Sequence, residues 1–195
     1  MKKYNIKQII FVAISLSQML YASASSISDE QPPLEISSRM QEIVKLHSLK
    51  ILEWANSPLV MDFVTEQNKK DISLAEIERI DKEWVLGAVG LSKSLQDNTL
   101  SKFLRKKVES SNLFVEAFVC DKRGVVVGLF PRTTDYWQGD EVKFIKSFEN
   151  GKGRIYFSPL AFDESTQTYS VHISVPIRNW NNTIGVLIVG VKNFQ

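Results

Sequence analysis

Between Leu34 and Trp54, apolar residues recur at three- and four-residue steps: Ile36, Met40, Ile43, Val44, Ile51 and Trp54. That spacing holds them on one face and predicts a long amphipathic helix. Asn56-Ser57-Pro58 ends or kinks it, and residues 59–64 add a further helical turn or two. Ser73 with Glu76 three residues on forms a capping-box pattern, opening a helix that turns Ile77, Ile80 and Trp84 inward. A third helical stretch spans 98–110, with Leu100, Phe103, Leu104 and Val108 on one side.

The period then shortens. Residues 114–121 and 125–130 are rich in strand formers and flank the turn Lys122-Arg123-Gly124, so they predict a hairpin. A short amphipathic segment at 142–148 follows, and Glu149-Asn150-Gly151-Lys152-Gly153 breaks the chain. Three more strands are predicted at 154–162, 168–177 and 183–192, joined by short turns that imply antiparallel pairing. The expected fold class is α+β: helices first, then a five-stranded antiparallel sheet with one helical crossing after its second strand.

Alternation assigns the faces. Tyr169, Val171, Ile173, Val175 and Ile177 share one side of their strand, with Ser170, His172 and Ser174 opposite. Glu116 and Phe118 alternate with Val115, Ala117 and Val119, and Tyr156 and Ser158 with Ile155 and Phe157. Each of these strands offers an apolar face fit to pack under the long helix. The mixed opposite face is either exposed, as is usual for an antiparallel sheet, or the floor of a pocket.

A roof for that pocket is at hand in residues 133–141, Thr-Thr-Asp-Tyr-Trp-Gln-Gly-Asp-Glu, between the second strand and the short helix. A connection with aromatic, acidic and glycine residues can line a cavity and orient a ligand. The alternative is a helix N-terminus, with Asp140 and Glu141 answering the macrodipole and no ligand involved.

The N-terminus is of another kind. Lys2, Lys3 and Lys7 precede an apolar run from Ile9 to Leu20, and Ala22-Ser23-Ala24 supplies small residues for cleavage. Residues 1–24 read as a secretory signal peptide cut after Ala24, and 25–33 as a flexible lead-in. A retained anchor is the alternative, although the run falls short of the ~20 residues a spanning helix needs. The expected location is periplasmic or secreted. A net charge of +2 over 195 residues gives no electrostatic case for nucleic acid. Cys120 is the single cysteine, so no internal disulfide forms, and its strand setting reads as a buried thiol.

Little points to an enzyme. The chain has two histidines, His47 and His172, and no HExxH, GxSxG, P-loop or paired-cysteine pattern. Ser174 and His172 lie two apart on one strand face, about 7 Å between Cα atoms, without a nucleophile elbow. A metal site would require His172 to join carboxylates such as Asp140 or Glu116 across strands, and no spacing signals it. The expectation is no catalysis, no metal and no cofactor.

Several motifs carry a resemblance. Asp121-Lys122-Arg123-Gly124, the run from Thr134 to Glu141, Phe162-Asp163-Glu164-Ser165, Val175-Pro176-Ile177 and Ile184-Gly185-Val186-Leu187 follow an export signal and a long leading helix. Over residues 34–194 the chain resembles the single Cache (PAS-like, PDC-type) extracytoplasmic sensor domains. The resemblance implies one domain at 34–195, with a long N-terminal helix on a five-stranded antiparallel sheet. It also implies a small molecule bound on the sheet face covered by the segment between strands two and three. In the family, binding is relayed to a kinase, chemoreceptor or cyclase beyond a membrane helix. This sequence ends at Gln195, shortly after its last strand, so a free-standing binding domain or the partner of a separate membrane receptor is expected.

Under that resemblance the expected ligand-binding residues are Arg132, Tyr136, Trp137, Asp140, Tyr156 and His172. Tyr136 and Trp137 would form apolar walls, and Arg132 and Asp140 charged anchors. Asp135, Asp140 and Glu141 outnumber Arg132, which favours a ligand bearing an amino group. The alternative is a ligand-free interaction module that forms a homodimer or docks a receptor through its long helix.

Overall fold

In the computed structural model, which describes residues 36–193, five helices precede the sheet. The expectations for residues 1–24 and 25–33 lie outside the described residues. Among the described residues no helix is long and apolar enough to cross a membrane.

Helix α1 (Ser38–Ala55) starts where the Ser37 hydroxyl accepts the Met40 N–H at 3.2 Å, and it buries Met40, Val44, Ile51 and Trp54 as the periodicity requires. Ser57 caps α2 (Pro58–Lys69), whose leading proline needs no N–H partner in the first turn. This helix runs past residue 64 to Lys69. Ser73 caps α3 (Leu74–Val85) at 3.2 Å, but the Glu76 carboxylate pairs with Arg79, so only half of the capping box forms. Helix α4 (Val89–Asp97) was not expected, since Ala88 offers it no side-chain cap. Asn98 opens α5 (Thr99–Glu109) by accepting the Ser101 N–H at 2.7 Å.

The sheet contains β1 (Phe114–Asp121), β2 (Val126–Phe130), β3 (Tyr156–Phe157), β4 (Ala161–Asp163), β5 (Thr168–Asn179) and β6 (Asn182–Lys192). Helix α6 (Val142–Phe148) crosses between β2 and β3. The order is β2-β1-β6-β5-β3, antiparallel throughout, and β4 also pairs with β5. The expected strand at 154–162 is therefore divided into β3 and β4. Between them Pro159 has no N–H to give, and the Ser158 hydroxyl takes the His172 N–H at 2.8 Å. Five strand positions remain, the last shared by two short pieces.

Both faces of the sheet are covered. Val44, Ile51, Trp54, Val64 and Leu104 of α1, α2 and α5 pack on Ala117, Val119, Val171, Ile173, Leu187 and Val189. Opposite them Ile77, Trp84, Tyr136 and Phe144 cover Phe118, Cys120, Val186 and Ile188. The result is an α+β fold of helices packed on an antiparallel sheet.

The outer edge of β2 is closed by side chains. Asn98 Nδ2 donates to Val127 O at 3.0 Å, and the Leu129 N–H donates to Ser101 Oγ at 2.9 Å. Ser101 is 1% exposed, and its hydroxyl donates to Leu95 O at 2.6 Å. Ser101→Ala would orphan the Leu129 N–H and the Leu95 carbonyl, and should cost about 1–3 kcal/mol by urea denaturation. A loss under about 0.5 kcal/mol would mean that the edge does not depend on this hydroxyl.

Candidate functional site

The segment 131–141 is fastened to the hairpin and to α3. Val126 N–H donates to Tyr136 O at 3.0 Å, Gln138 N–H to Gly124 O at 2.8 Å, and Trp137 Nε1 to Arg123 O at 2.8 Å. From α3, one Asp81 oxygen accepts both the Tyr136 and Trp137 N–H groups, at 2.8 and 2.9 Å. Trp84 Nε1 donates to Thr133 O at 3.0 Å, and its ring lies 5.9 Å from that of Tyr136. The space between sheet and segment is thus filled by Trp84, Tyr136 and Leu129, all buried.

A cavity of about 610 Å³ opens beside this packing, at the β2 edge. Phe63 of α2, Ile72 and Ile80 around α3, Leu91 and Leu95 of α4, Val126, Val127 and Tyr136 form its apolar walls. Asp62, Glu66, Gln67, Lys70, Ser94 and Asn98 supply polar groups. Burial, followed by the charge of Asp121, pushes the Tyr136 phenol up to about 12, so it stays a neutral donor.

Of the six expected site residues, Tyr136 reaches this cavity. Arg132 lies over the Trp84 ring, 4.4 Å from its centre, and donates to Trp84 O at 2.6 Å and Ser92 Oγ at 3.1 Å. Trp137 is half-buried against the hairpin, and Asp140 is exposed in the turn before α6. Tyr156 pairs with Ser174 at the far side of the sheet. The walls from α2 and α4 were missed. Their one sequence signal was Leu91 and Leu95, four residues apart.

His172 belongs to a second cluster. Its Nε2 lies 2.5 Å from Glu116 Oε1 and 3.3 Å from Asp163 Oδ2. The other carboxylate oxygens are held from behind: Asp163 Oδ1 meets Ser165 Oγ at 2.6 Å and the Thr166 N–H at 3.0 Å, and Glu116 Oε2 meets Ser165 Oγ at 3.1 Å. Burial pulls the imidazole pKa down, but hydrogen bonds to Asp163 and Glu116 and the charge of Glu116 push it above its ordinary value. Burial pushes Asp163 up, and its bonds to His172, Ser165 and Thr166 outweigh this and hold it well below the usual carboxylate range. Among the described residues, Glu116, Asp163 and His172 form a group whose ligand atoms all lie within 4.8 Å of one another, near enough to share a metal ion. Sequence reasoning had weighed Glu116 with His172 and had overlooked Asp163, which the β4–β5 hairpin delivers.

No protein-family model matches the chain, and no curated protein matches it in sequence. Solved structures do. The ligand-binding domain of the Campylobacter jejuni chemoreceptor Tlp3, in complex with 4-methylisoleucine, aligns at 15% identity with a TM-score of 0.41, covering 80% of this chain and 61% of that one. The extracellular domain assigned to the histidine kinase vpHK1S-Z8 aligns at 12% identity and a TM-score of 0.48, covering 98% and 61%. The ligand-binding domain of the Pseudomonas fluorescens chemoreceptor CtaA, in complex with L-valine, aligns at 14% and 0.38, covering 57% and 54%. These are structural matches to Cache-type sensor domains. The likeness is one of fold, and this chain spans roughly three-fifths of the length of those structures or less.

Proposed function

We propose that this is an exported, non-catalytic sensor-type domain that binds a small metabolite bearing an amino group in the cavity between α2, α3, α4 and β2. The cavity itself carries the reading: about 610 Å³, with mostly aliphatic and aromatic walls and a few polar groups, is the size and character of a small-molecule site. Exposed Asp62, Glu66 and Lys70 belong to its lining, and Glu66 is already paired with Lys69 at 2.6 Å, so Asp62 is the carboxylate offered to a cationic group on the ligand. The chemoreceptor domains of similar fold were solved with 4-methylisoleucine and L-valine, which suits a ligand with an amino group and an aliphatic body. The basic, apolar, small-residue order of the first 24 residues supports export to the periplasm or beyond.

Thermal-shift screening of amino acids, amines and simple carboxylic acids tests this. A ligand at about 100 times its dissociation constant should stabilise the protein by ~2.7 kcal/mol. Ser94→Trp, at an exposed wall position of α4, should fill the cavity and abolish the shift without lowering stability. Stabilisation by carboxylic acids alone would refute the amino-group assignment. A second reading, self-association through α1, is favoured by Leu46 and Leu49, which are 71% and 66% exposed one turn apart. It predicts a melting temperature that rises with protein concentration and ignores every metabolite.

A further inference from the structure

We propose that Glu116, Asp163 and His172 form a binding site for one divalent transition-metal ion of the Zn²⁺ class, on the sheet face away from α1. This site is independent of what occupies the cavity at the β2 edge.

The backbone is arranged to let the three side chains meet. Glu116 on β1 and His172 on β5 both register with Gly190 on β6, so the three residues form one row across the sheet. Two strand spacings, about 10 Å, separate the outer backbones, and the side chains close that gap above the glycine. A Cβ at Gly190 would sit 2.7 Å from Glu116 Cγ and 3.3 Å from Glu116 Oε1. Gly190 therefore leaves the space through which the Glu116 carboxylate reaches the imidazole. On the far side the Ser158 hydroxyl fixes the His172 backbone where the edge strand is broken.

The inner oxygens then converge on a single nitrogen. Ser165 and the Thr166 N–H hold the outer oxygens, leaving Glu116 Oε1 and Asp163 Oδ2 directed at His172 Nε2. One N–H cannot serve both acceptors well, whereas a cation satisfies all three atoms together. With metal–ligand bonds of about 2.0–2.2 Å, ligand atoms stand roughly 2.9–3.5 Å apart, depending on the angle. The 3.3 Å separation already fits, and the 2.5 Å one needs to open by about half an ångström. Glu116 is 2% and His172 8% exposed, so the charge gathered here is shielded from water. One imidazole and two carboxylates suit Zn²⁺, Mn²⁺ or Co²⁺ better than Ca²⁺, which takes six or more oxygens. The Ser165 hydroxyl would orient both carboxylates as an outer partner.

The test uses the purified protein stripped with EDTA and titrated calorimetrically with Zn²⁺ alone, with Ca²⁺ in parallel. We expect one Zn²⁺ per chain, a higher melting temperature and no response to Ca²⁺. Co²⁺ in its place should give a visible absorption band. His172→Gln and Glu116→Gln should each weaken Zn²⁺ binding about 100-fold or more, since even outer partners contribute 10–100-fold. Gly190→Ala should do the same by crowding Glu116. Absence of Zn²⁺ uptake by the stripped wild type overturns the proposal, whatever the variants do. So does uptake that survives His172→Gln, which would put the ion elsewhere. A preference for Ca²⁺ would equally exclude the transition-metal class.

Discussion

Trp84→Ala should destabilise the protein by about 3–5 kcal/mol, as expected for truncating a fully enclosed indole. Trp84 is 0% exposed and holds the 131–141 segment at three of its residues. Its ring packs against Tyr136, its Nε1 holds Thr133 O, and Arg132 lies across its face with Nη2 on its own carbonyl. The alanine variant leaves a cavity, an unpartnered Thr133 carbonyl and an arginine without its platform. For a domain of this size the loss should appear as a fall in melting temperature of roughly 6–20 °C by circular dichroism. Trp180 provides the control. It is 94% exposed in the β5–β6 turn, and Trp180→Ala should stay within about 0.5 kcal/mol of wild type. Equal losses at both positions would show that α3 is not what holds the 131–141 segment.

The inward direction of Trp84 was readable from its place in the α3 period, but not what it packs on. Its hydrogen-bond partner is 49 residues away, and no local pattern encodes that pairing. The strands on either side of the first hairpin were legible because alternation survives when both faces are buried: Ala117 and Val119 face one core, Phe118 and Cys120 the other. The polar members of the mixed face gave less. Ser170, His172 and Ser174 read as a solvent side or a pocket floor, yet all three are buried. Helix α4 was missed because it lacks a capping side chain and exposes Val89 and Leu91, so neither end nor face stood out. With it went one wall of the cavity. Arg132 is expected as a ligand anchor from the resemblance and its charge; in the fold its Nη2 and Nε donate to Trp84 O and Ser92 Oγ, partners that no local pattern encodes. Asp163 escaped because its chemistry depends on β4 folding back beside β5, a register set by the whole sheet.

Gly124→Ala should be strongly destabilising, costing about 2–5 kcal/mol. Two effects add. Gly124 has φ +83°, where an L side chain costs about 1–2 kcal/mol. Its Cβ would also fall 2.3 Å from the N and Cα of Gly139, so the backbone of the 131–141 segment must move, at about 1–3 kcal/mol for such overpacking. Three bonds near that contact hold the segment: Gln138 N–H to Gly124 O, Trp137 Nε1 to Arg123 O, and Val126 N–H to Tyr136 O. Displacement there carries Tyr136 away from the cavity, so any ligand-induced thermal shift should shrink with the stability. Gly151 separates the two effects, because it has φ +87° and nothing within 4 Å of a new Cβ. Gly151→Ala should therefore lose only the backbone share, about 1–2 kcal/mol. If urea denaturation gave the two variants the same midpoint, the close approach of Gly124 to Gly139 would not be what pins the segment over the sheet.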